Sequence, residues 1–269
     1  MTMHHKLNEA LDQGRCLKVI SGLNTFDPEK VAAVVKAASR GGATFVDIAA
    51  SPDLVRLARG LTDLPICVSA VEPKQFVIAI QAGADLIEIG NFDSFYAQGQ
   101  WFDASDVLAL TIETRKLLPN ITLSVTVPHI LKLDQQVELA AELVKAGADI
   151  IQTEGGTSSK PRSAGTLGLI EKAAPTLAAA YEISRAVSVP VLCASGLSSV
   201  TVPMAIAAGA AGVGVGSAIN QLDSEVAMVA AVRSLVESLE GVKGEGLKVE
   251  GCSRSVAFWP RFEGLKVEG

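Results

Sequence analysis

Aromatic side chains, paired cysteines, histidine and excess positive charge are all scarce in this chain. Phe, Trp and Tyr together make up 4% of its 269 residues, while hydrophobic residues make up 49%. With Ala, Val, Ile, Leu and Gly dominant, that mixture suits buried parallel strands covered by small-residue helices. Twenty-three basic residues face 29 acidic ones, a net charge of −6. This leaves no basic footprint and argues against a nucleic-acid partner. The four cysteines, Cys16, Cys67, Cys193 and Cys252, are scattered, with no CxxC pair and no histidine nearby. They read as reduced thiols in a cytosol-like compartment rather than as disulfides or zinc ligands. Cys67 and Cys193 fall inside strand patterns, where a free cysteine acts as a small hydrophobe.

Other absences narrow the function. No HxxH, HExxH, EF-hand or Walker pattern occurs, and no GxSxG elbow presents a nucleophile, so no metal is indicated. The run Gly212-Val-Gly-Val-Gly216 lacks the spacing of a dinucleotide fingerprint. Met1 to Gln13 has neither the apolar core of a signal peptide nor the acid-poor character of a transit peptide. Val202 to Ile219 is long and apolar, but Pro203 and four glycines break it into helix, turn and strand, which predicts a soluble protein with no membrane partner.

What the chain does contain is alternation. Apolar runs at Leu17–Gly22, Thr44–Ala49, Pro65–Ala70, Leu86–Asn91, Thr122–Pro128, Asp149–Glu154 and Pro190–Gly196, with an eighth ending at Gly216, read as strands. Helical patterns separate them, among them one opened by Asp27-Pro28 and closed by Gly41, and one opened by Asp103. Four junctions share one pattern: Gly-Gly-Ala-Thr at 41–44, Ala-Gly-Ala-Asp at 82–85 and 146–149, and Ala-Gly-Ala-Ala at 208–211. Each ends a helix on a glycine cap and enters an even-numbered strand. Four such junctions in phase predict a single (β/α)8 TIM barrel of the phosphate-binding type. The expected boundaries are an N-terminal extension at 1–16, the barrel at 17–240, and a low-complexity, disordered tail at 241–269 that repeats Glu-Gly-Leu-Lys-Val-Glu-Gly.

The candidate site follows from that fold. Ser195-Gly196 and Gly216-Ser217 end strands seven and eight, where backbone N–H groups of a barrel hold phosphate. Tight strand–helix packing is the plainer account of those glycines. Polar residues bracketed by Ile and Val should point into the barrel. These include Asp47, Glu88, Lys18 and the same-face pairs Gln152/Glu154 and Ser124/Thr126. Glu88, Glu154, Asp47 and Lys18 are therefore the candidate acids, bases and nucleophile, and Asn91, Thr126, His129 and Gln152 the substrate contacts. Lys18 admits two readings, a structural partner of Asp47 or Glu88 and a Schiff-base former. His129 is a proton shuttle or a solvated loop residue. Phe92, Phe95, Tyr96, Trp101 and Phe102 form a lid over the mouth, or a plug or oligomer contact. Lys160 and Arg162 close on an anionic substrate or lie in a solvated loop.

Two resemblances rest on these segments. Lys18-Val-Ile-Ser-Gly-Leu-Asn24, Pro65-Ile-Cys-Val-Ser-Ala70, Ala82 to Phe92, Ile151 to Ser159 and Val191 to Leu197 resemble the ycf twenty-three reading frames of cyanobacteria and algal plastids. That family brings no assigned activity; it implies the cyanobacterial cytoplasm or the plastid stroma. Strands seven and eight with Val215-Gly-Ser-Ala-Ile-Asn220 are also similar to the N-acetylmannosamine-6-phosphate epimerases. The lysine those enzymes carry on strand three would fall near Val71, and Asp47 stands near their phosphate-contacting arginine. The resemblance implies the grip and not the epimerisation. The expectation is an isomerase, epimerase or aldolase acting on a small phosphorylated metabolite by carboxylate chemistry, with no cofactor and with homo-oligomerisation open. The alternatives are an FMN-dependent oxidoreductase and a non-catalytic metabolite sensor.

Overall fold

The computed structural model describes residues 5–96, 98–155 and 160–244. Eight parallel strands close a barrel in chain order: β1 (Cys16–Gly22), β2 (Phe45–Ala49), β3 (Ile66–Ala70), β4 (Leu86–Ile89), β5 (Thr122–Val127), β6 (Ile150–Thr153), β7 (Val191–Ala194) and β8 (Gly212–Val215). Closure comes from β1 lying against β8, with Cys16 opposite Gly212 and Lys18 opposite Gly214. Eleven helices accompany them: α1 (His5–Asp12), α2 (Pro28–Gly41), α3 (Pro52–Arg59), α4 (Pro73–Gln81), α5 (Asp93–Tyr96), α6 (Ala104–Leu117), α7 (Leu133–Lys145), α8 (Gly165–Ala186), α9 (Val202–Ala207), α10 (Ser217–Asn220) and α11 (Glu225–Gly244).

The capping residues act as their chemistry dictates. Asp27 accepts from the N–H groups of Glu29 and Lys30, and Asp103 forms a capping box with Asp106. The left-handed residue ending α2 is Gly42, at φ 89°, and not Gly41. Gly41 serves proximity instead: a Cβ there would stand 2.4 Å from the side chain of Val232 on α11.

The repeated junction does more than turn the chain. In three copies its fourth residue clasps the start of the preceding strand in both directions. Thr44 N–H donates to Leu17 O and Thr44 Oγ1 accepts from Leu17 N–H, at 2.9 and 3.0 Å. Asp85 does the same for Ile66, at 2.9 and 2.8 Å, and Asp149 for Leu123, at 2.8 Å each way. Ala211 keeps the backbone bond to Val191 O but has no side-chain oxygen to complete the clasp. Arg59 and Arg115 pair with Asp85 and Asp149. These clasps sit at the N-terminal ends of the strands, the face a barrel gives to stability.

Inside the barrel the side chains form three levels. At the bottom Cys16, Phe45, Cys67, Leu86, Ile150 and Leu192 make an apolar cluster. The extension contributes here: Leu7 and Leu11 of α1 are buried in that cluster and close the floor. Above it lies a polar level of Lys18, Asp47, Ser69, Glu88, Ser124 and Gln152, every one of them buried. The mouth lies above that. Like α1, the helix α8 was not delimited from the sequence; it carries Pro175 in its interior. The helix α11 continues past the expected tail boundary at 241 to Gly244, and residues 245–269, with both repeats and Cys252, lie outside the described residues.

Candidate functional site at the barrel mouth

A cavity of about 160 Å³ opens at the C-terminal ends of the strands. Asn91, Thr126, Gln152 and Glu154 line one side of it, and Ser195, Gly196, Gly216 and Ser217 the other. Eight of the twelve residues singled out from the sequence thus share one space. Ile20, Gly22, Thr153, Leu197, Gly214 and Asn220 line it as well, without having been singled out.

The glycine-rich side has unusual backbone geometry. Ser195, at φ 80°, is the one non-glycine residue with positive φ among the described residues, and Gly196 follows at φ 71°. Left-handed backbone costs an L-residue roughly 1–2 kcal/mol, so something must hold Ser195 there. Among the described residues the N–H groups of Ser195 and Gly196 donate to no backbone acceptor. Successive N–H groups in such a turn make a concave site for an anion. Across the cavity α10 begins at Ser217, and the first N–H groups of a helix have no acceptor within it. Asn220 ties α10 to the end of β1 by donating to Ile20 O and Ser21 O, at 3.3 and 3.2 Å. Gly196 must be glycine for a second reason: a Cβ would stand 2.7 Å from Lys172 O and 3.1 Å from Lys172 Cγ. Lys172 of α8, a residue the sequence did not single out, therefore lays its stem against the turn.

The opposite wall carries ionisable groups. Glu154 is buried, and its Oε1 accepts the Asp93 N–H at 2.8 Å. Its Oε2 lies 2.9 Å from His129 Nδ1 and accepts the His129 N–H at 3.3 Å. His129 Nε2 reaches to 3.6 Å from Asp93 Oδ1. Burial works against a charge on His129, but the Glu154 hydrogen bond and the charges of Glu154 and Asp93 outweigh it and hold the imidazole above its ordinary value. His129 stands behind Glu154, one contact away from the cavity. The edge of Tyr96 packs on His129 at 5.4 Å, and Tyr96 stacks on Trp101 at 5.2 Å. The aromatic cluster divides in two: Phe92 and Phe102 are core, while Trp101 stays 62% exposed on the rim. Lys160 and Arg162 do not line the cavity; Glu171 fixes that loop through the N–H groups of Arg162 and Ser163.

Lys18, Asp47 and Glu88 lie beneath the cavity and do not line it. Lys18 Nζ sits 2.6 Å from Glu88 Oε2, 3.1 Å from Gln152 Oε1 and 3.5 Å from Asp47 Oδ2. Ser124 Oγ and Gln152 Nε2 complete the shell of Glu88, each at 2.8 Å, and Ser69 Oγ donates to Asp47 at 2.6 Å. Burial disfavours the Lys18 charge, yet Asp47 and Glu88 more than offset it and keep the ammonium protonated well above the usual lysine range. A sealed ammonium has no free electron pair to attack a carbonyl, which favours the bracing role over the Schiff base. Burial, assisted by the charge of Glu88 and opposed by Lys18, raises Asp47 to about 6. Gln152 is the one member of this level that also faces the cavity. Its amide is fixed in orientation: Oε1 toward Lys18, Nε2 toward Glu88 and Thr126. Burial raises Cys16 to about 12 and Cys193 to about 11, so these thiols stay protonated and unreactive.

Comparison with known proteins extends the geometry. The family model described as "Protein of unknown function (DUF561)" matches residues 3–243. A protein of Cyanophora paradoxa named "Uncharacterized protein ycf23" is 46% identical over 228 residues, 84% of this chain and 93% of that protein. One of the same name from Porphyra purpurea is 40% identical, over 75% of this chain and 76% of that protein. Among solved structures, the (S)-3-O-geranylgeranylglyceryl phosphate synthase of Thermoplasma acidophilum superposes with a TM-score of 0.59 at 15% identity, covering 90% of this chain and 100% of that one. A 3-hexulose-6-phosphate synthase gives a TM-score of 0.60 at 18% identity, covering 83% and 99%. At these identities the structural likeness establishes the (β/α)8 TIM barrel alone. No helix of the described residues is long and apolar enough to cross a membrane.

Proposed function

This chain belongs to the DUF561 family and is similar to ycf23 proteins over most of its length, and from that premise we propose that its barrel mouth binds a small phosphorylated metabolite and moves a proton on it. The observation that carries this reading is the pairing, in one cavity, of a left-handed Ser195-Gly196 backbone with the Glu154 and Gln152 wall. The phosphate lies on the N–H groups of Ser195, Gly196, Gly216 and Ser217, a donor set that needs no side-chain cation. The remaining atoms then face Gln152, Thr126, Asn91 and Glu154. Glu154 is the proton-transferring carboxylate, and His129, bonded to it through Nδ1, is its exchange partner. Such a pair suits isomerisation, epimerisation or aldol chemistry. The geranylgeranylglyceryl phosphate synthase was solved with sn-glycerol-1-phosphate, a ligand of the size and charge proposed here. Its similarity to the ycf23 proteins supports a location in the plastid stroma or the cyanobacterial cytoplasm, which we propose with it.

The test is a thermal-shift panel of phosphosugars and phosphorylated acids, each beside its dephosphorylated form. At least one phosphorylated compound should raise Tm where its partner does not. Turnover of that compound should be lost in Glu154→Gln with binding retained. If no phosphorylated compound stabilises the protein, the proposal is wrong. A ligand bound and never turned over marks a sensor. Flavin absorbance in gently purified protein would assign the same phosphate site to FMN, with Tyr96 and Trp101 as its stacking wall.

A further inference from the structure

Pairing between β6 and β7 ends early. Only Ile151 with Val191 and Gln152 with Leu192 are in register, whereas β5 and β6 continue to Val127 with Thr153. Two threonine hydroxyls take over where the ladder stops. Ala194 N–H donates to Thr153 Oγ1 at 3.3 Å, Thr153 Oγ1 lies 2.6 Å from Thr176 Oγ1, and Thr176 Oγ1 donates to Ala194 O at 2.5 Å. A hydroxyl has one proton. That of Thr176 is committed to the Ala194 carbonyl, so Thr153 must be the donor between the two threonines. The three bonds therefore run in one direction around a ring that starts at the Ala194 N–H and ends at the Ala194 carbonyl. Thr153, Thr176 and Ala194 are all buried, so no solvent competes for these groups. Gly155 makes room for the ring: a Cβ on it would stand 3.0 Å from Thr176 Cβ and 3.4 Å from Ser195 Cβ.

The ring fixes the peptide that precedes the left-handed turn. In a planar trans peptide the Ser195 N–H points opposite to the Ala194 carbonyl. With that carbonyl held toward α8, the N–H is directed away from α8, where it meets no backbone acceptor among the described residues. Building on the phosphate reading given above, we infer that Thr176, acting with Thr153, is the positioning residue of the anion site, and that its ligand is a phosphate group held by the Ser195 and Gly196 N–H groups. The strain at Ser195 is held by this ring. Thr176 does not line the cavity, so it would escape a search for polar side chains facing the ligand.

Inorganic phosphate, titrated into the whole chain and followed through the amide resonances of Ser195 and Gly196, tests the inference. In the wild type both resonances should move on phosphate addition. Thr176→Val, which keeps the volume and removes the donor, should weaken phosphate binding by about tenfold, as expected for one lost hydrogen bond. Thr176→Ser should restore it. Thr111→Val, which removes a buried hydroxyl bonded to Val107 O on the far helix α6, should bind phosphate like the wild type. If Thr176→Val does not fold, Thr153→Val opens the same ring at its other hydroxyl. Equal phosphate affinity in the wild type and the ring-opened variant overturns the inference while leaving the phosphate site standing. No phosphate-dependent movement at either amide in the wild type overturns both.

Discussion

Replacing Lys18 with methionine keeps the side chain's length and removes its charge from the middle of the barrel. Lys18 is fully buried, with Glu88 2.6 Å and Asp47 3.5 Å from its Nζ. The substitution strands two carboxylates in a level that water does not reach. Removing one partner of a buried ion pair costs about 3–5 kcal/mol, because the surviving charge keeps its desolvation penalty. Ser124 and Gln152 still donate to Glu88, and Ser69 to Asp47, which argues for the lower part of that range. Urea unfolding followed by far-UV circular dichroism at neutral and mildly acidic pH measures it. The deficit should be largest at neutral pH and shrink in acid, as the stranded Asp47 carboxylate takes up a proton. Adding Glu88→Gln to Lys18→Met should recover at least ~1 kcal/mol, since the two residues are in contact and their effects are not additive. A Lys18→Met protein within ~1 kcal/mol of the wild type at neutral pH would refute the bracing role. So would a deficit indifferent to pH.

Four further outcomes are expected. Asp47 is raised by burial to about 6, so the folded state keeps a proton that the unfolded chain has released. Stability should therefore fall by about 3 kcal/mol as pH rises from ~4 to ~6, and Asp47→Asn should flatten that part of a urea-midpoint profile; an unchanged profile contradicts the assignment. His129 is also raised, so its contribution is fully present below pH ~6.5 and is lost as pH climbs through its folded value. His129→Gln should remove that loss from the Tm-versus-pH curve, and a curve that keeps it argues against the Glu154 contact. Asp149→Ala leaves the Leu123 N–H without its acceptor and removes the ion-pair partner of Arg115, and should cost about 1–3 kcal/mol by denaturant midpoint, with Asp149→Asn milder. Leu11→Ala should cost about 2–5 kcal/mol by emptying part of the barrel floor, and a cost below ~1 kcal/mol would show that α1 is not docked there.

The barrel was legible because buried parallel strands are continuous apolar runs and because the Gly-Ala junction recurs in phase. Gly42, Gly83, Gly147 and Gly209 all have positive φ, the conformation that makes glycine necessary at those turns. The clasp formed by Thr44, Asp85 and Asp149 was partly visible, since two copies of the junction end in Asp, but the partner N–H belongs to a strand 19 to 27 residues earlier. The helix α1 escaped notice because it is short and mostly polar: only Leu7 and Leu11, one turn apart, are buried among its eight residues. The cavity wall was found through polar residues in apolar strands. Position along the strands also sets Asp47 and Glu88 one pleat deeper than Glu154 and Asn91; grouping them with Glu154 as candidate acids and bases went too far because a single pleat is enough to put them below the cavity. Thr176 could not have been found, because a threonine in an alanine-rich helix means nothing until the fold brings it to Ala194.

The floor of the barrel also bears on how the chain comes to be folded. Leu7 and Leu11 pack against Phe45, Leu86, Ile150 and Leu192, side chains spread over most of the sequence that follows. Eight residues are too few to hold a helix unaided in water. During synthesis α1 emerges ahead of the strands it packs against, and its docking site is complete only when the strand bearing Leu192 has left the ribosome. Its ordering thus reports the end of assembly and not its beginning. Protection of the Leu11 amide from hydrogen exchange would serve as a clock for barrel closure.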